Sequence, residues 1–368
     1  MKRIHSLDLA RGFTVLMIAP IHTVMIFSKL SVRQTLLGNF LAFVAEWHGA
    51  QIFMTIMGIS FALSKNKTPE AAVKKATLLM VFAYGLNIFK FVIPHFFGWL
   101  PAPLLEQLQV GPGIHGYIQL FAVGDILHFA AIAILVMGIV VGFRDYDRVA
   151  AWMAVAICFA SPWLWDAASD NGFANYGLRI IGGKPPVVFF PLLPWLVYPL
   201  LGLCLGKMIQ KIPNTNSDQN TDLYPPADQN QKPWLGFDSF WLIGLVFMLF
   251  AAILKYFLRE DSFTSFYRTI PIDTIIHVGF VFMALSFWYW ITLHVKANAL
   301  FRLFNYASRH ITRIYIIQWI LICWLLPFIS YQQSGFIGSL FLIFQTSIIT
   351  LATSLMIDLT KSNVQKRK

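Results

Sequence analysis

Apolar runs of about 20 residues recur along this chain, and that is the length a helix needs to cross the ~30 Å hydrocarbon core of a bilayer. Ten such stretches can be read, at about 12–29, 49–64, 76–94, 124–143, 149–165, 187–206, 237–257, 274–294, 312–329 and 338–358. A transmembrane barrel would instead show short alternating segments of ~10 residues, and the sequence has none. Composition agrees. Of 368 residues 57% are apolar and only 12% charged, whereas a soluble domain is near a quarter charged because its surface must be solvated. The expected fold is all-α: a polytopic integral membrane protein with about ten transmembrane helices. The less apolar segment 34–47 reads as an interfacial or re-entrant helix leading into the second span.

Lysine and arginine set the orientation, since they collect in cytoplasmic loops. With the N-terminus inside, 20 of the 28 basic side chains fall on the cytoplasmic side of the ten spans. The N and C termini are therefore both expected in the cytoplasm. The formal net charge of +11 follows from that asymmetry and calls for no nucleic acid. Residues 212–235, rich in Asn, Asp, Gln and Pro, read as a flexible cytoplasmic linker. They divide a six-span portion (1–211) from a four-span portion (236–368). Segments 95–123 and 166–186 read as outer loops folded over the mouth of the bundle. The first apolar run lacks a small-residue cleavage site, so no signal peptide is expected. The three cysteines, Cys158, Cys204 and Cys323, lie singly in apolar runs, which suits small core residues and gives neither a disulfide framework nor a metal site.

Ionisable groups inside spans are costly, by a few kcal/mol each, and so mark function. Asp8 and Arg11 share a helix face at the cytoplasmic end of the first span. The pair is either a charged helix start anchored to lipid phosphate or an arginine aimed at the phosphates of an anionic ligand. His22 lies eleven residues on, ~16 Å up the helix and near mid-bilayer, where an imidazole needs a partner or a wet cavity. His48, in Glu46-Trp47-His48, falls near the outer face, as an interfacial residue or a catalytic one. Asp125 and His128 share a face at the outer end of the fourth predicted span. They either hold an imidazole tautomer for base catalysis or cap a helix. His95 and His115 share the outer loop region, and His277 reads as a bundle histidine. Asn305, Arg309, His310, Arg313 and Gln318 run from the inner face into the ninth predicted span and form a basic mouth.

The stretch Arg3-x-x-Ser6-Leu7-Asp8-x-x-Arg11-Gly12, with the run on to His22, resembles the opening of the transmembrane acyltransferase superfamily. That group includes the heparan-α-glucosaminide N-acetyltransferase-like proteins and the bacterial family 3 acyltransferases. Three further stretches resemble the first branch: Gln51 to Gly58; Phe190-Pro191-Leu192-Leu193-Pro194-Trp195 with Gly202 and Gly206; and Leu303 to Arg309 followed by Tyr315-x-x-Gln318.

The resemblance implies helices around a channel, acetyl-CoA entering from the cytoplasm, and a histidine passing the acetyl group to a sugar or amino-sugar acceptor outside. Arg11, with Asp8 beside it and Asn305, Arg309 and Arg313 at the inner mouth, would meet the CoA phosphates. His22 matches a position that is His in the family 3 branch and Asn in the heparan branch. The catalytic histidine of the heparan branch has His48 as its nearest equivalent, at a different spacing, so both histidines stay in play. The implied setting is a bacterial inner membrane, with lipids and an extracytoplasmic glycan as partners and a monomer or homodimer as the working unit. The competing reading is a transporter or flippase of an anionic or lipid-linked metabolite. It accounts for intramembrane polar groups but not for the Asp8–Arg11–His22 spacing.

Overall fold

The computed structural model describes residues 4–210, 237–259 and 265–366. The expected linker at 212–235 lies outside them. Among the described residues the chain is helical, and β pairing is confined to two isolated bridges, Ser28 with Ser334 and Gly124 with Val188. Helices are what hydrocarbon permits, because each satisfies its backbone hydrogen bonds within one segment.

The long helices are α1 (His5–Phe27), α2 (Ala50–Ala62), α3 (Pro69–Asn87), α4 (Ile126–Val140), α5 (Tyr146–Leu164) and α6 (Val197–Gln210). They continue with α7 (Phe237–Leu258), α8 (Pro271–His294), α9 (Ala299–Arg309), α10 (Ile311–Leu325) and α11 (Phe336–Lys366). Each of the ten apolar stretches falls on a helix, but 7 helices are long and apolar enough to cross a membrane. Of the other three, α4 and α10 are apolar but have 15 residues each, which is ~22 Å at 1.5 Å per residue. The third, α5, opens with Tyr146, Asp147 and Arg148.

The second apolar stretch starts earlier than its hydropathy suggests. A helix over Leu36–Phe43 continues through a π-helical turn, Val44–Gly49, into α2. Residues 36–62 thus form one candidate span, and 34–47 is not a separate re-entrant piece. Glu46, Trp47 and His48 interrupt the apolar run without interrupting the backbone. A second π-helical turn, Ile88–Val92, extends α3 toward Phe96.

The chain packs as two compact units. One holds residues 1–10, 47–80 and 124–302, and the other 11–46, 81–123 and 303–368. In the first, α2 and α6 meet through glycine. A Cβ on Gly202 would land on the carbonyl oxygen of Thr55, and one on Gly58 would land on that of Pro199. Small residues that let backbones touch are the usual cement of membrane bundles, where the hydrophobic effect cannot drive helices together. The Lys207–Asp147 ion pair (2.6 Å) ties α6 to the start of α5, and a Lys255–Asp273 pair (2.7 Å) links α7 to α8.

Arg268, just before α8, clamps the segment after α5. It donates to Asp166 Oδ1 (2.9 Å) and to the carbonyls of Gly183 (3.0 Å) and Gly182, capping the helix Gly172–Gly182. The guanidinium holds the Asp166 carboxyl below the ordinary carboxylate range, through its hydrogen bond first and its charge second.

In the second unit, α1 docks on α11 through paired buried hydroxyls: Thr23 with Thr346 (2.8 Å) and Ser28 with Ser339 (2.7 Å). Arg33 folds back to the carbonyls of Met25 (2.6 Å) and Ser28 (3.2 Å), covering the C-terminal end of α1 as a cation there should.

Two outcomes follow from this packing. Gly202→Ala must push α2 off α6 and should lower stability by about 1–3 kcal/mol. Gly85→Ala, where nothing lies within 4 Å of a new Cβ, should be neutral, and thermal unfolding in detergent compares the two. The Arg268 clamp should also resist acid. A lowered carboxyl value means the pair is intact above the ordinary pKa of about 3.9 and opens only as pH falls through the lower folded value. Hydrogen exchange across 166–183 should therefore differ little between pH 7 and pH 4 in the wild type and be modestly faster at pH 7 in Asp166→Asn.

Candidate functional site

His22 sits on α1 two residues after Pro20. Its Nδ1 lies 3.2 Å from Oε1 of Gln318 on α10. The orientation of that amide is fixed independently, because Gln318 Nε2 donates to the carbonyl of Tyr315 at 3.2 Å. An amide oxygen only accepts, so His22 Nδ1 carries a proton, and in the neutral imidazole the lone pair is on Nε2. The imidazole stacks on Trp319 (centroids 4.0 Å, 30°), with Tyr315 edge-on at 6.4 Å. Gln318 is fully buried. Stack and hydrogen bond together leave the ring little freedom, which is how a general base is set up in advance of its substrate.

Lys90, 2% exposed, reaches the same group from the π-helical turn Ile88–Val92. Its ammonium lies 4.6 Å from the centroid of Trp319 and 4.5 Å from that of Phe91. Trp324 at the far end of α10 donates to the carbonyl of Phe89 (2.9 Å), pinning α10 to the turn that carries Lys90. Asn87, also buried, donates to the carbonyls of Phe121 and Val123 at 2.8 Å each.

Arg11, Asn305, Arg309 and Arg313 of the basic mouth belong to the same unit. α1 and α9 touch at Gly12, where a Cβ would fall on the carbonyl oxygen of Phe304, and the rings of Phe13 and Phe304 meet edge-on at 6.0 Å. That close approach sets Arg11 on α1 beside the helix bearing Asn305 and Arg309. Asp8 precedes Arg11 by three residues on α1, and both are partly buried. Arg313 is engaged otherwise. It forms a two-pronged pair with Asp358 of α11 (2.7 Å on each arm), and Tyr306 joins the carboxylate at 3.0 Å. His310 Nε2 lies 3.4 Å from the same carboxylate.

The remaining sequence candidates belong to the other unit. His48 is buried on the π-helical turn, and its Nε2 accepts the indole N–H of Trp288 at 2.8 Å. Its lone pair at Nε2 is thus committed to that bond. Asp125 and His128 form a reciprocal capping box at the start of α4. The carboxylate accepts from Ile126 N (2.7 Å), and His128 Nδ1 accepts from Asp125 N (3.2 Å). Of the two readings open for this pair, the geometry is that of the helix cap. His277 packs edge-on against Trp47 (4.9 Å), one turn from the Lys255–Asp273 pair. Among the described residues no cluster of three or more His, Cys, Asp or Glu has metal-binding geometry.

Two residues of the His22 group escape sequence reading. Lys90 reads from sequence as a charge near an outer span end. The signal that could have found it is its place inside the apolar run 86–93. Trp319 is adjacent to Gln318, but an aromatic residue in a span carries no signal by itself.

The model of the family described as heparan-alpha-glucosaminide N-acetyltransferase, catalytic, matches residues 3–240. The chain belongs to that family. No curated protein and no solved structure matches it. The family match takes in Asp8, Arg11, His22, His48, Lys90, Asp125 and His128, while α9 and α10 lie beyond it. With 7 helices fit to cross a bilayer, this member of the heparan-alpha-glucosaminide N-acetyltransferase family is a membrane acetyltransferase.

The contrast between the two histidines is measurable. Trp288→Phe should leave the buried His48 acceptor without its donor and lower stability by about 1–3 kcal/mol. Thermal unfolding of the purified variant against wild type checks this.

Proposed function

We propose that this acetyltransferase moves an acetyl group from acetyl-CoA in the cytoplasm to a sugar or amino-sugar acceptor on the far side of the membrane, with His22 as general base. The observation that carries the proposal is the Gln318 amide, held by Tyr315 O with its oxygen 3.2 Å from His22 Nδ1, which calls for Nδ1–H and leaves Nε2 of the neutral ring as the base.

The chemistry follows from that atom. Nε2 takes the proton of the acceptor hydroxyl or amine as its oxygen or nitrogen attacks the thioester carbonyl carbon. The tetrahedral intermediate collapses, the C–S bond breaks, and the imidazolium returns its proton to the departing thiolate. Thiolate is a good leaving group, so positioning together with a base suffices. Gln318 keeps the ring in one tautomer throughout.

The donor's phosphates belong at the inner mouth. Arg11, with Asp8 beside it, and Asn305 and Arg309 of α9 supply charge and hydrogen bonds there. Arg313 serves that mouth through its pair with Asp358, which fixes α10 and so the Gln318–Trp319 step above it. Sidedness rests on the distribution of lysine and arginine, which puts these groups in the cytoplasm. On this reading His48 and the Asp125–His128 cap serve the helices that carry them.

Acetyl-labelled acetyl-CoA presented at the cytoplasmic face of vesicles, with glucosamine on the other face, tests the reading. The label should appear on glucosamine while CoA stays behind. His22→Ala should cut transfer by about 10²–10⁴-fold. Full activity in His22→Ala ends the base assignment, and movement of intact solute in place of acetyl transfer makes the chain a transporter.

A further inference from the structure

Trp319 is only 8% exposed, and its indole Nε1 has no hydrogen-bond partner. Leaving a buried N–H unpaired costs about 1–3 kcal/mol, and a buried tryptophan normally finds an acceptor. Four other indoles find acceptors. Trp165 donates to Leu193 O, Trp195 to Tyr267 O, Trp288 to His48 and Trp324 to Phe89 O. Trp324 and Trp319 stand on the same helix, so α10 satisfies one indole and leaves the other unsatisfied beside His22.

A second observation points to the same ring. Lys90 is the one lysine or arginine among the described residues that is buried, and its ammonium lies over Trp319 at 4.6 Å. Bringing a cation into a membrane span is costly, and such groups mark function. A cation against an indole is attracted to the π cloud. It also draws electron density from the ring, so the N–H becomes a stronger donor. The stack, 4.0 Å between ring centroids, puts the indole that carries that donor against the His22 imidazole.

We propose that Trp319 is a further catalytic residue: its indole N–H donates to the carbonyl oxygen of the acetyl thioester and to the oxyanion formed there, with Lys90 as the positioning residue that polarises the ring. The inference rests on the reading of His22 as base. As acceptor oxygen or nitrogen bonds to the carbonyl carbon, the C=O π pair moves onto oxygen. That charge meets the Trp319 N–H, while the acceptor's proton is already on His22 Nε2. When the carbonyl re-forms, the C–S pair leaves with CoA sulfur, the imidazolium protonates it, and the indole is unchanged. A donor aimed at charge that exists only in the transition state lowers the barrier without tightening ground-state binding.

The test is Trp319→Phe in the full-length protein. It keeps an aromatic face for His22 and Lys90 and removes the N–H together with the pyrrole ring that carries it. With acetyl-CoA and glucosamine, kcat should fall about a hundredfold while KM for acetyl-CoA stays within about twofold. Infrared difference spectra of carbonyl-labelled acetyl-CoA give a readout that needs no acceptor. The bound carbonyl stretch should lie lower in wild type than in Trp319→Phe. Lys90→Met should move it part of the way up, and Lys90→Arg should restore it. Equal acetyl-CoA affinity in wild type and variants certifies folding. If binding is equal and the stretch and kcat do not change in Trp319→Phe, this proposal fails and the His22 reading survives. If wild type binds no acetyl-CoA, both fall together.

Discussion

Inside hydrocarbon no water stands ready to complete a hydrogen bond, so each polar atom carried there must find its partner within the chain or hold an energetic deficit. Most of this structure can be read as the consequence. The backbone is helical. Buried hydroxyls meet in pairs, as Thr23 with Thr346 and Ser28 with Ser339 do. The carboxylate of Asp273 takes the ammonium of Lys255, and that of Asp358 takes both arms of Arg313. His48 receives an indole N–H, and the start of α4 is closed by a reciprocal cap. Against that background the Trp319 N–H is a buried donor without a partner on the ring that stacks against His22. On the proposed reading, a substrate's own carbonyl oxygen completes that donor.

The two π-helical turns are the local devices that make this arrangement reachable. A π turn inserts one extra residue into a helix and rotates everything beyond it, and it loosens the i→i−4 ladder so that carbonyls become available to other donors. At Val44–Gly49 the insertion brings His48 to Trp288 and Trp47 to His277 without breaking a 27-residue span. At Ile88–Val92 it turns Lys90 inward onto Trp319, and the carbonyl of Phe89 in the same turn accepts the indole of Trp324. A regular helix through either segment would present a different face.

Much of the architecture was legible because apolar run length is a direct record of bilayer thickness. The segments that misled did so for definable reasons. Residues 34–47 looked separate because Glu46, Trp47 and His48 lower the local hydropathy, whereas backbone continuity through a π turn leaves no compositional trace. Lys90 looked like an interfacial charge because lysine usually is one; its burial depends on neighbours more than 200 residues away. The Asp125–His128 spacing serves a cap and a catalytic pair equally well, and only the backbone partners separate them. His22 reads from the sequence as a mid-depth histidine in a family-like frame. Its partner Gln318 lies 296 residues along the chain, and no single-sequence pattern ties the two together. Trp319 was invisible because its meaning lies in a bond it does not make.

The choice of an amide to hold His22 also has a physical logic. A carboxylate in that place would fix the tautomer as well, but it would bury a second charge near mid-bilayer and bind the imidazolium tightly once formed. Gln318 orients the ring through a neutral bond, with its own geometry locked by the carbonyl of Tyr315. The imidazolium formed during attack is then a transient high-energy species that readily returns its proton. That suits transfer from a thioester, where the departing thiolate accepts the proton and a strong base is unnecessary. Charge stabilisation is needed instead at the carbonyl oxygen. A neutral indole N–H strengthened by a cation over its face supplies it without placing an ammonium against the nucleophile. On the proposed mechanism, His22, Gln318, Trp319 and Lys90 divide base, orientation and oxyanion stabilisation among themselves.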